Sequence, residues 1–165
     1  LADQARHLIN QAKVAGANYF HDQVGYNFRL SNLQAAVGLA QMEQLPHILQ
    51  RQRDLLARYQ MELAEFARFP LALEHVQANG WLPTGLFSNR KELQSHLMEH
   101  QIGCRPLWMP LQQLPPYQKN RHLHQGKKTS EELYHQGLSL PAYASLTDSQ
   151  QTQIIHAIQQ FYRGR

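Results

Sequence analysis

The functional groups best suited to bind an anion lie in one short turn that contains Tyr26, Asn27 and Arg29. A neutral amide can donate hydrogen bonds to an oxyanion without adding a titratable charge, and a guanidinium can bind phosphate through two parallel bonds. The turn runs directly into a predicted helix, and helix N-termini favour anions. The turn could therefore hold polar groups rigidly for an anion, but its spacing alone names no ligand. The alternatives are that Asn27 is a plain turn residue and that Arg29 is a solvated or salt-bridged charge.

The helix that follows must hold this turn in place. Ser31 and Gln34 have the spacing of a capping box, which predicts a helix start at Ser31. Apolar side chains then occur around nearly the whole circumference, as far as Leu45, which predicts a helix buried on most sides. Pro46 either begins a new helix over 47–66 or kinks the first one.

The other elements follow from hydrophobic period and turn signals. A helix is predicted over 2–13. Strands over 71–76 and 81–87 are predicted to pair as a hairpin at Asn79-Gly80. Further elements are a helix beginning at Asn89 with Leu93, Leu97 and Met98 inward, a strand over 102–107, a short helix over 130–135, and a final helix with a capping box at Thr147 and Gln150. This order indicates a small α+β layer.

Composition narrows the class of protein. The 165 residues are 42% hydrophobic, which is enough for a real core, and no stretch has the length of a membrane span. The single cysteine, Cys104, fits a reducing, cytoplasmic setting and is expected to be a small buried residue. The net charge of +4 is scattered, so nucleic-acid binding is disfavoured. His122 and His124 lack nearby partners for a metal site, and we expect no metal.

Several ordered motifs resemble one enzyme family. The run from His21 to Leu45, with GYN-aromatic-R followed by SNLQAA, is similar to a segment of the DegT/StrS family of pyridoxal-phosphate-dependent sugar aminotransferases. The segments 103–110 and 114–117 resemble the family's RP-x-W-x-P and P-x-Y motifs, and 137–141 resembles its GL-x-LP turn. Residues 5–14 resemble the branch acting on UDP-linked 4-keto sugars.

The resemblance implies a fold and an activity. The family has the α/β fold of the type I aminotransferases, of which this chain would be the helix-rich C-terminal part with a small α+β domain. It implies that 1–45 are the tail of the large cofactor-binding domain, 46–69 a connecting helix and 70–165 the small domain. The intact protein would use pyridoxal 5′-phosphate to move an amino group, with glutamate as donor, onto a nucleotide-linked keto sugar for surface polysaccharide. Because no lysine here matches the family's Schiff-base lysine, we expect the chain alone to be inactive. The alternative is a non-catalytic binding or dimerisation module that retains the fold.

The resemblance also assigns roles to residues. Asn27 would reach across a homodimer to the cofactor phosphate of the partner subunit, and Tyr26 and Arg29 would meet the nucleotide-linked substrate. A loop would close over the sugar, and its marker residues are Arg105, Trp108 and Tyr117. Gln112 stands where many members carry a histidine, and a glutamine cannot shuttle protons. Trp81 is expected to be a core residue.

Overall fold

The computed structural model describes residues 1–16, 20–70, 72–120 and 129–164. The chain divides into two compact units, Leu1–Leu45 and Pro46–Arg165. The division into large-domain tail, connecting helix and small domain remains a prediction. The helices are α1 (Ala2–Ile9), α2 (Asn32–Glu62), α3 (Arg90–Glu99), α4 (Thr129–Gln136) and α5 (Asp148–Arg163), with 3₁₀ turns at Leu111–Gln113 and Pro115–Tyr117. The strands are β1 (Ala67–Arg68), β2 (Thr84–Phe87), β3 (Arg105–Pro106) and β4 (Gly137–Ser139).

The first unit fastens the anion-site turn to the end of α1. The Tyr26 amide donates to Leu8 O at 2.9 Å, and the Phe28 amide donates to Ile9 O at 3.1 Å. Helix α1 ends at Ile9, so the predicted extent to residue 13 is wrong. The reason is local: Gln11 and Ala12 have φ values of 62° and 52°, a left-handed conformation that no α-helix continues through.

Helix α2 is continuous from Asn32 to Glu62 and contains Pro46 in its interior. The predicted capping box is confirmed: the Ser31 amide donates to Gln34 Oε1 at 3.0 Å, and the Gln34 amide donates to Ser31 Oγ at 3.3 Å. Pro46 does not begin a new helix, which was one of the two alternatives there, and the helix continues through it. Residues 32–47 are exposed, so the expected burial of this segment is wrong for the described chain. Its large apolar side chains at Leu33, Val37, Leu39 and Met42 are each more than half exposed, because no described residue of the first unit covers them.

The second unit is built on an antiparallel sheet in the order β1-β2-β4-β3. The predicted hairpin partner of β2 is wrong, because β2 pairs with Ala67–Arg68 and the described residues 72–76 contain no strand. Gly80 has a φ of +71°, but it lies in a loop held against α2 rather than in a hairpin turn. In that loop Arg53 Nε donates to Ala78 O at 3.0 Å. The GL-x-LP segment, expected as a turn, forms the inner strand β4.

One face of the sheet carries the core of this unit. Phe87 and Leu138 are fully buried there beside the inner faces of α2, α3 and α5. Leu93 and Leu97 point inward as predicted, whereas Met98 is 63% exposed. The core side chains and the Thr147 capping box fix α5, as the sequence predicted.

Two properties of the described residues bear on function. None of their helices combines the length and hydropathy needed to cross a bilayer. Within the same ranges no three His, Cys, Asp or Glu side chains come together as a metal site. His122 and His124, for which no metal role was predicted, lie outside the described residues.

Candidate functional site

The turn that precedes α2 is clamped because Gly25 has no side chain. A Cβ on Gly25 would lie 2.5 Å from Ala12 N, 2.6 Å from Gln11 C and 2.8 Å from Leu8 O. Carbon atoms do not approach fixed backbone so closely, so a larger residue would push the turn away from α1. Gly25 thereby sets the position of the three residues that follow it.

Asn27 lies on the outer side of this clamp. Its backbone forms an antiparallel bridge with Asn10, and its side chain is exposed. The Asn27 carboxamide makes no hydrogen bond with any residue that the structure describes. A fixed backbone with an unengaged amide is the arrangement that an oxyanion donor requires.

Arg29 is also available to a ligand. Its Nη1 lies 3.5 Å from Asn10 Oδ1, which is the longest distance that still counts as a hydrogen bond. Among the described residues it forms no ion pair with a carboxylate, so the salt-bridge alternative finds no support. Tyr26 is 61% exposed and stacks on Phe28, with ring centroids 5.5 Å apart and planes at 14°. Tyr26 is therefore not a core residue of the first unit.

The second group of predicted residues belongs to the second unit. Arg105 lies in the edge strand β3, Trp108 follows it with 75% exposure, and Tyr117 ends the second 3₁₀ turn with 44% exposure. Gln112 Nε2 donates to Ser130 Oγ at 3.4 Å, a weak contact that ties the loop to α4. All three marker side chains are accessible, and their roles remain predictions.

The donors present fit one end of pyridoxal phosphate. The cofactor needs phosphate donors, a lysine for its aldehyde and a carboxylate for its ring nitrogen. Asn27, with its unengaged carboxamide, is suited to the phosphate. Lys91 in α3 and Lys119 in a surface turn belong to the second unit, and Lys13 forms a backbone bridge with His21.

Two further groups have raised pKa values for structural reasons. Burial raises the pKa of the Cys104 thiol, which keeps it protonated and unreactive, and the side chain is half-buried rather than fully buried. Burial also raises the pKa of Tyr59, whose hydroxyl donates to Pro141 O at 3.0 Å. Tyr59 belongs to the core of the second unit, and Cys104 packs against that core.

Sequence reasoning missed an aromatic surface feature. Trp81, expected in the core, is 63% exposed at the rim of a cavity. The Asn79-Gly80 signal did predict a turn here, but nothing in the local pattern indicated that the turn would present the indole outward.

The fold is that of the C-terminal part of a type I aminotransferase. A DegT/DnrJ/EryC1/StrS aminotransferase from Brucella abortus superposes with a TM-score of 0.81 at 25% identity, over 97% of this chain and 43% of that protein. The model of the DegT/DnrJ/EryC1/StrS aminotransferase family matches residues 1–159. The chain belongs to this family.

Two relatives have the same named activity. The GDP-perosamine synthase of Vibrio cholerae is 33% identical over 98% of this chain and 46% of its own length. The GDP-perosamine synthase of Escherichia coli O157:H7 is 30% identical over the whole chain and 45% of its own length. The chain thus spans about half the length of the curated relatives it matches.

Proposed function

We propose that this chain is the C-terminal part of a pyridoxal-phosphate-dependent aminotransferase that transfers an amino group to a nucleotide-linked keto sugar. Glutamate is the proposed donor, surface-polysaccharide synthesis the setting, and the cytoplasm the compartment. The observation that carries the proposal is the exposed, unengaged Asn27 amide on a turn clamped by Gly25, in a chain of this family.

The chain's own residues would bind and orient, and the bound cofactor would supply the electron sink for moving the amino group. Asn27 would hold the cofactor phosphate in the neighbouring subunit of a homodimer. Arg29 and Tyr26 would hold the nucleotide-linked substrate, through a bidentate contact and a ring surface respectively. Arg105, Trp108 and Tyr117 would line the loop over the sugar. Gln112 would hydrogen-bond but move no proton.

Expression of the full reading frame with pyridoxal phosphate tests the activity. The visible absorption of the bound cofactor should bleach on addition of glutamate and return on addition of a keto-sugar substrate. GDP-linked and UDP-linked 4-keto sugars should both be assayed. Two relatives are named GDP-perosamine synthases, whereas residues 5–14 resemble the branch that acts on UDP-linked sugars. A full frame that binds no cofactor would instead favour the non-catalytic module.

Subunit mixing tests the role of Asn27. An Asn27→Ala protein and a protein lacking the Schiff-base lysine are each expected to be inactive. If Asn27 serves the partner's cofactor, a mixed dimer contains one complete site, and random mixing should restore about a quarter of the wild-type activity. If Asn27 serves its own subunit, no mixed dimer contains a complete site, and the mixture stays inactive.

A further inference from the structure

The second unit contains a polar cavity that the proposed function does not use. It has a volume of about 440 Å³, within the usual range for small-ligand sites, and lies between the end of α3, the loop after β4 and the first turns of α5. Leu146 and Ile154 are buried and form its apolar floor together with Ile102. Of the described residues that line it, none is predicted to bind cofactor or substrate.

The loop after β4, which forms one wall of this cavity, is held from behind by α2. The Tyr59 hydroxyl donates to Pro141 O at 3.0 Å, and Arg51 Nη2 donates to Leu146 O at 2.6 Å. Within the loop, the Leu146 amide donates to Tyr143 O at 2.9 Å. Because both ends of the loop are fixed, this wall exists before any ligand arrives, which lowers the entropy cost of binding.

A second wall contains a glutamine in a backbone conformation that favours glycine. Gln101 follows the C-cap of α3 and has a φ of 60°. The Gln101 amide donates to Met98 O at 3.0 Å, and the Ile102 amide donates to Leu97 O at 2.8 Å, which is the pattern of a Schellman helix end. Glycine is the usual residue at this position. The chain instead has a carboxamide residue here, at the edge of the cavity, and strained backbone of this kind is concentrated at ligand sites.

The polar groups around the cavity are available to a ligand. The side chains of Gln101 and Gln153 make no hydrogen bond with the residues that the structure describes. Gln150 Oε1 accepts the hydrogen bonds of the α5 capping box, and Gln150 Nε2 has no acceptor among the same residues. His100 Nδ1 lies 2.8 Å from His96 O. Because a carbonyl only accepts, Nδ1 carries the proton, and Nε2 of the neutral ring is an acceptor.

This lining favours a neutral ligand that is rich in hydroxyl groups. Its described residues include no Asp, Glu, Lys or Arg, so a phosphate, carboxylate or ammonium group would lose hydration without gaining a countercharge. Carboxamides both donate and accept hydrogen bonds, as neighbouring hydroxyls of a sugar do. The apolar floor and the ring of Tyr143, which is 47% exposed, suit the C–H face of a sugar ring.

We propose that this cavity binds a neutral pyranose sugar, with its hydroxyls on the glutamine carboxamides and its C–H face toward Tyr143 and the apolar floor. A free sugar and a sugar unit of a glycan chain have this chemistry in common. The site is independent of the proposed function, because it consists only of residues of the second unit and none of them is assigned to aminotransfer.

Isoleucine methyl signals of the full-length protein give a direct readout by nuclear magnetic resonance. Ile102 and Ile154 line the cavity, whereas Ile158 is fully buried in the core and does not line it. Titration with glucose into the millimolar range should shift the Ile102 and Ile154 methyl signals saturably and leave the Ile158 signal unchanged. Glucose 6-phosphate should bind more weakly than glucose. Tighter binding of cellobiose would identify a glycan chain as the source, and equal binding a free sugar.

Gly103 allows the cavity to be filled without a clash. It lines the cavity, and a Cβ there would meet no atom within 4 Å. Gly103→Gln should therefore place a side chain in the cavity and abolish the glucose-dependent shifts, while the urea midpoint of unfolding stays close to that of the wild type. Ser145→Gln is the matched control, because Ser145 is exposed in the adjacent loop outside the lining, and this variant should bind glucose normally.

Two glutamines of α5 separate recognition by the cavity from a general effect of surface polarity. Gln153 lines the cavity, whereas Gln160 is exposed on the same helix outside the lining. Gln153→Ala should weaken glucose binding about three- to tenfold, as expected for one hydrogen bond, and Gln160→Ala should not change it. Gln101→Gly should weaken binding to a similar extent yet raise the urea midpoint, because glycine relieves the left-handed backbone. A loss of binding with a gain in stability cannot come from a damaged fold.

Four results would overturn this assignment. They are no saturable shift of the Ile102 and Ile154 methyl signals, equal shifts with ethylene glycol at the same concentration, binding of glucose 6-phosphate as tight as that of glucose, and equal losses in Gln153→Ala and Gln160→Ala. None of these results changes the expected response of the cofactor absorption to glutamate, so failure of the sugar site and failure of the proposed function can be told apart.

Discussion

Replacing Gly25 with alanine tests whether this residue clamps the turn. The new Cβ would lie 2.5–2.8 Å from three backbone atoms of Ala12, Gln11 and Leu8, none of which can move as a flexible side chain could. Overpacking of this kind costs about 1–3 kcal/mol, and the first unit must relieve it by moving the turn. We therefore expect Gly25→Ala to lower the free energy of unfolding by this amount and to speed amide exchange over residues 24–29.

Gly38 is the matched control. It lies within α2, and a Cβ there meets nothing within 4 Å. Gly38→Ala should stabilise the chain by about 0.5–1 kcal/mol through helix propensity and lower backbone entropy in the unfolded state. Urea unfolding followed by far-ultraviolet circular dichroism measures both variants. If Gly25→Ala matches Gly38→Ala in stability and in exchange, the clamp is not what fixes the turn.

The remaining predictions concern the second unit. Tyr59→Phe should cost about 1–2 kcal/mol in urea unfolding, because Pro141 O loses its donor in a buried setting. Burial raises the pKa of Tyr59 above its ordinary 10.0, so the folded state holds this proton more tightly than the unfolded state does. The stabilisation from Tyr59 should therefore be complete below pH 10, and the free energy of unfolding should fall as the pH rises further. The fall should be smaller in Tyr59→Phe. If the free energies of unfolding of the two proteins ran parallel with pH, this reasoning would be refuted. Thr147→Ala should lower the free energy of unfolding by about 0.5–2 kcal/mol, because the α5 capping box is lost. Thr152→Ala on the same helix is not a suitable control, because it also removes a hydrogen bond from Arg58.

Short-range signals in the sequence predicted structure well. Both capping boxes form as their spacing indicated, because side chain and backbone donor lie within one turn of each other. The inward faces of α3 and α5 follow from helical period. The motif resemblance led to the right family because runs such as GYN-aromatic-R carry information that composition lacks.

Features that depend on distant partners were harder to predict. Strand β1 has only two residues, which are too few to show an alternating pattern. Its pairing with β2 depends on the rest of the sheet, and no local hairpin signal indicates it. The sequence left two outcomes open at Pro46, because a proline removes one helical hydrogen bond without necessarily ending the helix, and the structure has the continuous helix. The outward position of Trp81 is set by the contact of its loop with α2.

The exposed apolar segment of α2 also bears on how this protein tolerates mutation. An exposed helix position normally accepts most polar residues with little effect on stability. In a saturation library selected for function, charged residues at Leu33, Leu39 and Met42 should survive if the segment is ordinary surface. If those variants are depleted instead, their positions around the helix would show which face of α2 must contact another surface for the protein to function.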